Sequence, residues 1–124
     1  MASEKEKVNP IIIEDTDEHV SYTLEFNRDV VRQAEREGFE IMKLPDQPLM
    51  MWDLWYYAFR MHHKRVTRSV ANKLLEKIVE ENGSIPTKLS EVLTKLYMQP
   101  IEYLYGGDDD DDGEPKNVNV VVKF

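Results

Sequence analysis

The sequence predicts an α+β fold: about four helices packed with a small antiparallel sheet. An N-terminal hairpin forms that sheet, and a C-terminal strand is a candidate third member. Three observations carry this reading. A strict alternation of apolar and polar residues runs through "HVSYTLEF". Several later stretches repeat apolar residues at helical spacing between recognisable caps. The segment "NVNVVVKF" returns to alternation at the far end.

The chain has 124 residues, near the modal size of a single domain with one core. Hydrophobic residues make up 41% and charged residues 32%, a globular mix outside the disordered class. The reading by segment is a frayed terminus over 1–7, one globular helical domain with its hairpin over 8–105, an acidic flexible linker over 106–116, and a strand or tail over 117–124. The opening "MASEKEKVNP" is charged and has no apolar h-region, which argues against a secretory signal. No apolar run reaches the roughly 18 residues of a membrane span, so no membrane partner is expected.

"PIIIED" and "HVSYTLEF" are the two hairpin strands, with "EDTDE" as the turn between them. In the second strand, Val20, Tyr22, Leu24 and Phe26 share one face. Asn27 is an N-cap, Asp29 favours the dipole of the first turn, and Gly38 stops the helix, which spans Arg28 to Glu37. "FEIMKLPDQP" links onward. A second helix starts near Pro48 and runs to His62 or His63. Thr67 caps a third, with Ala71, Leu74, Leu75, Ile78 and Val79 on one side and Asn82-Gly83 at its end. Pro86 or Thr87 opens a fourth, with Leu89, Val92, Leu93, Leu96 and Tyr97 as its stripe. Pro100 should kink or end it, because proline lacks the N–H and clashes with the preceding turn.

The second helix holds the unusual segment, "LMMWDLWYYAFRM". At about 100° per residue, Asp53 and Arg60 fall close together, flanked by Tyr56 and His63. Apolar residues cover roughly 220° of the remaining arc, where a surface helix shows a stripe nearer 100°. Such a helix is either the centre of the core or has one edge left for a partner, and the two readings are compatible on different sides. Met suits adaptable contact, and Trp and Tyr are enriched at binding hot spots. The candidate partner-binding residues are Met50, Trp52, Trp55, Tyr56 and Phe59.

Little points to catalysis. With no cysteine there is no disulfide, zinc–thiolate site or cysteine nucleophile, and the same absence fits a reducing compartment. His62 and His63 are adjacent, so on a helix they diverge by about 100° and cannot aim at one metal. They read as exposed histidines at a helix end. Glu76, Lys77, Glu80 and Glu81 read as surface helix charge. Asp108, Asp110, Asp112 and Gly113 match the first half of a calcium loop, but Asn119 stands where a bidentate Glu is required. Net charge is −8, of which Asp108 to Asp112 supply five negative charges, leaving −3. That balance opposes nucleic-acid binding. The acidic run alone suggests a nucleic-acid mimic, but it is too short and local to cover a binding face. The expectation is a non-enzymatic protein with no cofactor and no metal.

From "YTLEFNRDVVRQAEREGFEI" onward the chain resembles the tail assembly chaperones of long-tailed, siphovirus-type bacteriophages and related prophages of Gram-positive hosts. The likeness rests on "LEFNR" closing a strand, Glu35 or Glu37 before Gly38-Phe39, the Pro45 and Pro48 linker, the helix "YYAFRMHH", then "VANKLLEKIVEENG" and "LTKLYMQPIEYL". It covers roughly residues 20 to 105. The acidic run and the valine-rich end have no place in that pattern. The resemblance implies a chaperone of the host cytoplasm, absent from the finished virion. Such a protein binds the long helical tape measure protein, keeps it soluble and helps recruit the tail tube protein. The alternative is a structural or connector protein of the particle that self-associates through the same aromatic helix.

Overall fold

The computed structural model describes residues 7–105 and 120–123, with side chains described over 7–102. The elements run β1 (Ile11–Asp15), β2 (Val20–Leu24), α1 (Arg28–Arg36), α2 (Met50–Phe59), α3 (Arg68–Asn82), α4 (Thr87–Tyr105) and β3 (Val120–Lys123), with a short 3₁₀ turn at Ile41–Lys43. The α+β expectation holds, with four helices and an N-terminal hairpin.

The hairpin pairs antiparallel, Ile11 opposite Leu24 and Ile13 opposite Tyr22. Ile11, Ile13 and Asp15 on β1 are buried, so alternation turns this face onto the helices. Sheet order is β2-β1-β3, and β3 runs parallel to β1, Ile11 beside Val120. The C-terminal segment therefore does join the sheet, but the third pairing is parallel where an antiparallel one was anticipated. A long excursion through four helices separates β1 from β3, and such a connection leaves either direction open. The acidic run Asp108–Asp112, the first residues of the chain and the start of the valine-rich end lie outside the described residues.

Local cap chemistry sets the helix ends. Asn27 Oδ1 accepts from Val30 N at 2.9 Å, and Thr67 Oγ1 accepts from Val70 N at 3.2 Å. Gly83, at φ 81°, closes α3 in the left-handed region, where a Cβ is strained. Two expectations need correction. α2 closes at Phe59, earlier than anticipated: Arg60 N bonds back to Tyr57 O, and the Arg60 guanidinium caps the Lys64 carbonyl at 2.7 Å. Pro100 neither ends nor divides α4, which continues to Tyr105. Pro100 and its neighbours Leu96 and Tyr97 are buried, so packing holds the turn that proline weakens.

The buried side chains form one cluster, with α2 at its centre and the sheet and the other three helices around it. Trp55, Phe59, Tyr22 and His63 meet edge to face in a chain, with centroids 5.3–5.4 Å apart. A second group joins Phe26, Tyr97, Phe39 and Tyr57. Burial, together with nearby Glu35, pushes the Tyr97 phenol up to about 12.

Polar contacts fasten the hairpin to the helical part of the chain. The Asp15 side chain is 5% exposed and accepts from Lys77 Nζ at 3.1 and 3.2 Å, as well as from the turn amides of Asp17 and Glu18. Lys77 is thus tied to a buried carboxylate, a correction to its reading as plain surface charge. On the other side, Thr23 N donates to His63 Nε2 at 2.9 Å. His63 is half-buried and holds an edge-strand amide, while His62 is exposed and pairs with Glu25 at 2.8 Å. Only His62 matches the reading of an exposed histidine, and it too has a partner in Glu25.

Candidate functional site

α2 divides the five candidate residues into two sets. Trp55 and Phe59 are fully enclosed, with Leu54 and Ala58 beside them. The Trp55 indole N–H donates to the Ala71 carbonyl at 2.7 Å, which satisfies its one polar atom inside the core. Met50, Trp52 and Tyr56 are half-buried. They border the outer side of the helix, where Leu49 is 78% exposed.

Helical geometry explains the division. Leu54, Trp55 and Ala58 point toward the core. At about 100° per residue, Leu49, Trp52, Tyr56 and Arg60 then form the opposite stripe, with Asp53 on its flank. Trp52 has no hydrogen-bond or ring partner among the described residues. The linker before α2 adds a further exposed apolar residue, Met42 at 80%. Next to it, Leu44, Pro45, Pro48, Met51 and Ile85 line a shallow cleft of about 300 Å³.

The outer stripe carries its own polar frame. The Arg68 guanidinium lies 4.3 Å from the centre of the Tyr56 ring and donates to Asp53 Oδ1 at 2.8 Å. Arg60 approaches the same ring at 5.7 Å. Tyr57, one residue on, donates its hydroxyl to Glu37 Oε1 at 2.6 Å. Burial, then that bond, raises the Tyr57 phenol, and the same bond holds the Glu37 carboxyl below its usual range. The two guanidinium groups hold the half-buried Tyr56 ring at the edge of the core. Arg68 is on another helix, so no spacing within α2 signals it.

At the C-terminal end of α2 a second concavity of about 670 Å³ opens between β2 and the connection to α3. His62, His63, Lys64 and Arg65 line it together with Tyr22 and three apolar side chains. Among the described residues no group of three or more His, Asp or Glu side chains is placed to hold a metal ion. No described helix is long and apolar enough to cross a membrane.

These features define a small α+β domain with an aromatic stripe on one helix and a basic groove at that helix's end. The chain belongs to the DUF5055 family, a domain of unknown function whose sequence profile matches residues 1–124. Comparison with curated proteins and with solved structures finds no match.

Proposed function

We propose that this protein is a non-enzymatic tail assembly chaperone, which holds exposed helices of a tape measure protein on the outer face of α2. The observation that carries the reading is the outward stripe of exposed Leu49 with half-buried Trp52 and Tyr56, only partly covered by a chain that encloses Trp55 and Phe59 completely. Soluble proteins seldom leave large aromatic side chains together at the surface without a use for them. An amphipathic helix laid along such a stripe buries apolar residues at its own i, i+3 and i+7 positions. The resemblance of residues 20 to 105 to tail chaperones supplies the partner.

The test is co-expression with a phage tape measure protein, followed by capture of the complex. Trp52→Ala with Tyr56→Ala should lose most of the capture while keeping the native melt. Capture unchanged by this pair of substitutions, or no complex with wild type when both proteins are soluble, rejects the reading. A connector protein built through the same helix makes a different prediction. It stays in purified particles, where mass spectrometry finds it, whereas a chaperone is missing.

A further inference from the structure

The chain turns from α2 to α3 through residues 60–67, and the groove of about 670 Å³ lies against that turn. Met61, Val66 and Val70 supply apolar wall, and Val70 is 40% exposed. Lys64 and Arg65 line it as well, and among the described residues no Asp or Glu does. This reverses the balance of the whole chain, which carries −8. From Arg60 to Arg68 the sequence holds four Arg or Lys and no carboxylate.

Four of the basic side chains here already have partners. Arg60 donates to the Lys64 carbonyl, Arg68 pairs with Asp53, His62 pairs with Glu25, and His63 accepts from Thr23. Lys64 and Arg65 are exposed, and neither side chain has a carboxylate partner among the described residues. Two cations without a carboxylate partner among the described residues thus stand beside an apolar wall in an acidic protein.

We infer that this groove binds an acidic peptide segment of a partner protein, its carboxylates on Lys64 and Arg65 and an apolar side chain against Met61, Val66 and Val70. Complementary charge steers such a segment and sets its direction, while the apolar contact supplies burial. Nucleic acid carries charge along its full length, so beyond these two cations it would meet a net-negative protein. An anionic bilayer meets the same repulsion. A short acidic peptide places its charge only where the cations stand. This surface is separate from the outer stripe of α2, and the inference does not depend on the tail-chaperone reading.

The experiment titrates the full chain into a labelled synthetic peptide with glutamates along one face and leucines along the other, followed by fluorescence anisotropy. Saturable binding that weakens with added salt is expected. Lys64→Glu with Arg65→Glu should weaken it about tenfold. Because both side chains are exposed, the native melt should survive, and the milder Lys64→Ala with Arg65→Ala should act in the same direction. Val70→Asp should also weaken binding, while Trp52→Ala should leave it unchanged. Binding indifferent to charge reversal overturns the inference. So does equal binding of a peptide with lysine in place of glutamate, or tighter binding of a single-stranded oligonucleotide or of anionic vesicles. Loss of tape measure capture in the Trp52 and Tyr56 variant, with peptide binding intact, separates the two surfaces.

Discussion

Trp52 and Trp55 sit three residues apart on one helix, with Asp53 and Leu54 between them, yet they meet opposite surroundings. Trp55 is fully enclosed, its ring 5.3 Å from Phe59 and its N–H on the Ala71 carbonyl. Trp52 is half-buried and has no such partner among the described residues. The same side chain therefore serves as core on one side of α2 and as the partly covered edge of the core on the other. Residue type does not decide which. What decides is whether another element of the chain arrives to cover it, and α3 covers Trp55.

The comparison breaks most sharply at Trp55. Trp55→Ala removes the largest fully enclosed side chain and should cost about 3–5 kcal/mol, as large-to-small aromatic substitutions in cores do. Denaturant unfolding followed by circular dichroism measures this. A loss under about 1 kcal/mol would mean that the two faces of α2 are not energetically distinct.

The next effect concerns what holds the inner face closed. Lys77→Met leaves the buried Asp15 carboxylate without its cation, and stability should fall by less than for Trp55→Ala. Replacing Asp15 and Lys77 together with Asn and Met should recover part of the loss, because the uncompensated charge goes with the pair. A double-mutant cycle reads the coupling directly. Absence of coupling would show that Asp15 is held by its turn amides alone.

The division of α2 marks the boundary of what could be read from sequence. Where a signal is local, it was legible. Asn27 and Thr67 accept from amides three residues on, and Gly38 and Gly83 take positive φ as helix stops. The stripes of α3 and α4 face inward as their spacing requires, with Val79 alone of the named residues only half-buried. Pro100 misleads because its rule is local, while the packing of Leu96 and Tyr97 that overrides it is not. The Asp15–Lys77 pair spans 62 positions and the Thr23–His63 bond spans 40, so neither leaves a trace in spacing. The direction of β3 is undetermined for the same reason. α2 is harder still. Its narrow polar sector, Asp53 and Arg60, does face outward, but apolar residues cover most of the remaining arc, so Met50 and Trp52 look like core until neighbours are placed. The basic stretch from Arg60 to Arg68 was not singled out from the sequence, because only the groove beside it gives the run a meaning.

His63 offers a pH-dependent way to loosen the inner face. Burial first, and neighbouring His62 second, hold its imidazole below the ordinary value of about 6.5. The neutral ring accepts from Thr23 N and packs against Tyr22. A base with a depressed folded value binds its proton more readily when unfolded. Its stabilising contribution is therefore complete above about 6.5 and is lost as pH falls through the lower folded value. Thermal melts across that range should show stability declining on acidification, and His63→Gln should flatten the decline. An unchanged slope would place the pH sensitivity elsewhere.

The smallest stability effect is expected at Trp52, and it tests the comparison most closely. A half-buried indole with no hydrogen-bond or ring partner contributes area and little else, so Trp52→Ala should change stability by less than about 1 kcal/mol. If the outer stripe is a contact surface, the same substitution should nonetheless cost most of its affinity for a helical partner, because tryptophans at the centre of an interface carry a large share of binding energy. The two measurements must diverge: near-native unfolding with impaired capture. A stability loss close to that of Trp55→Ala would make Trp52 part of the core in energetic terms, whatever its exposure. Native stability with native capture would leave the stripe without a role in binding, and the contrast between the two tryptophans would then reflect packing alone.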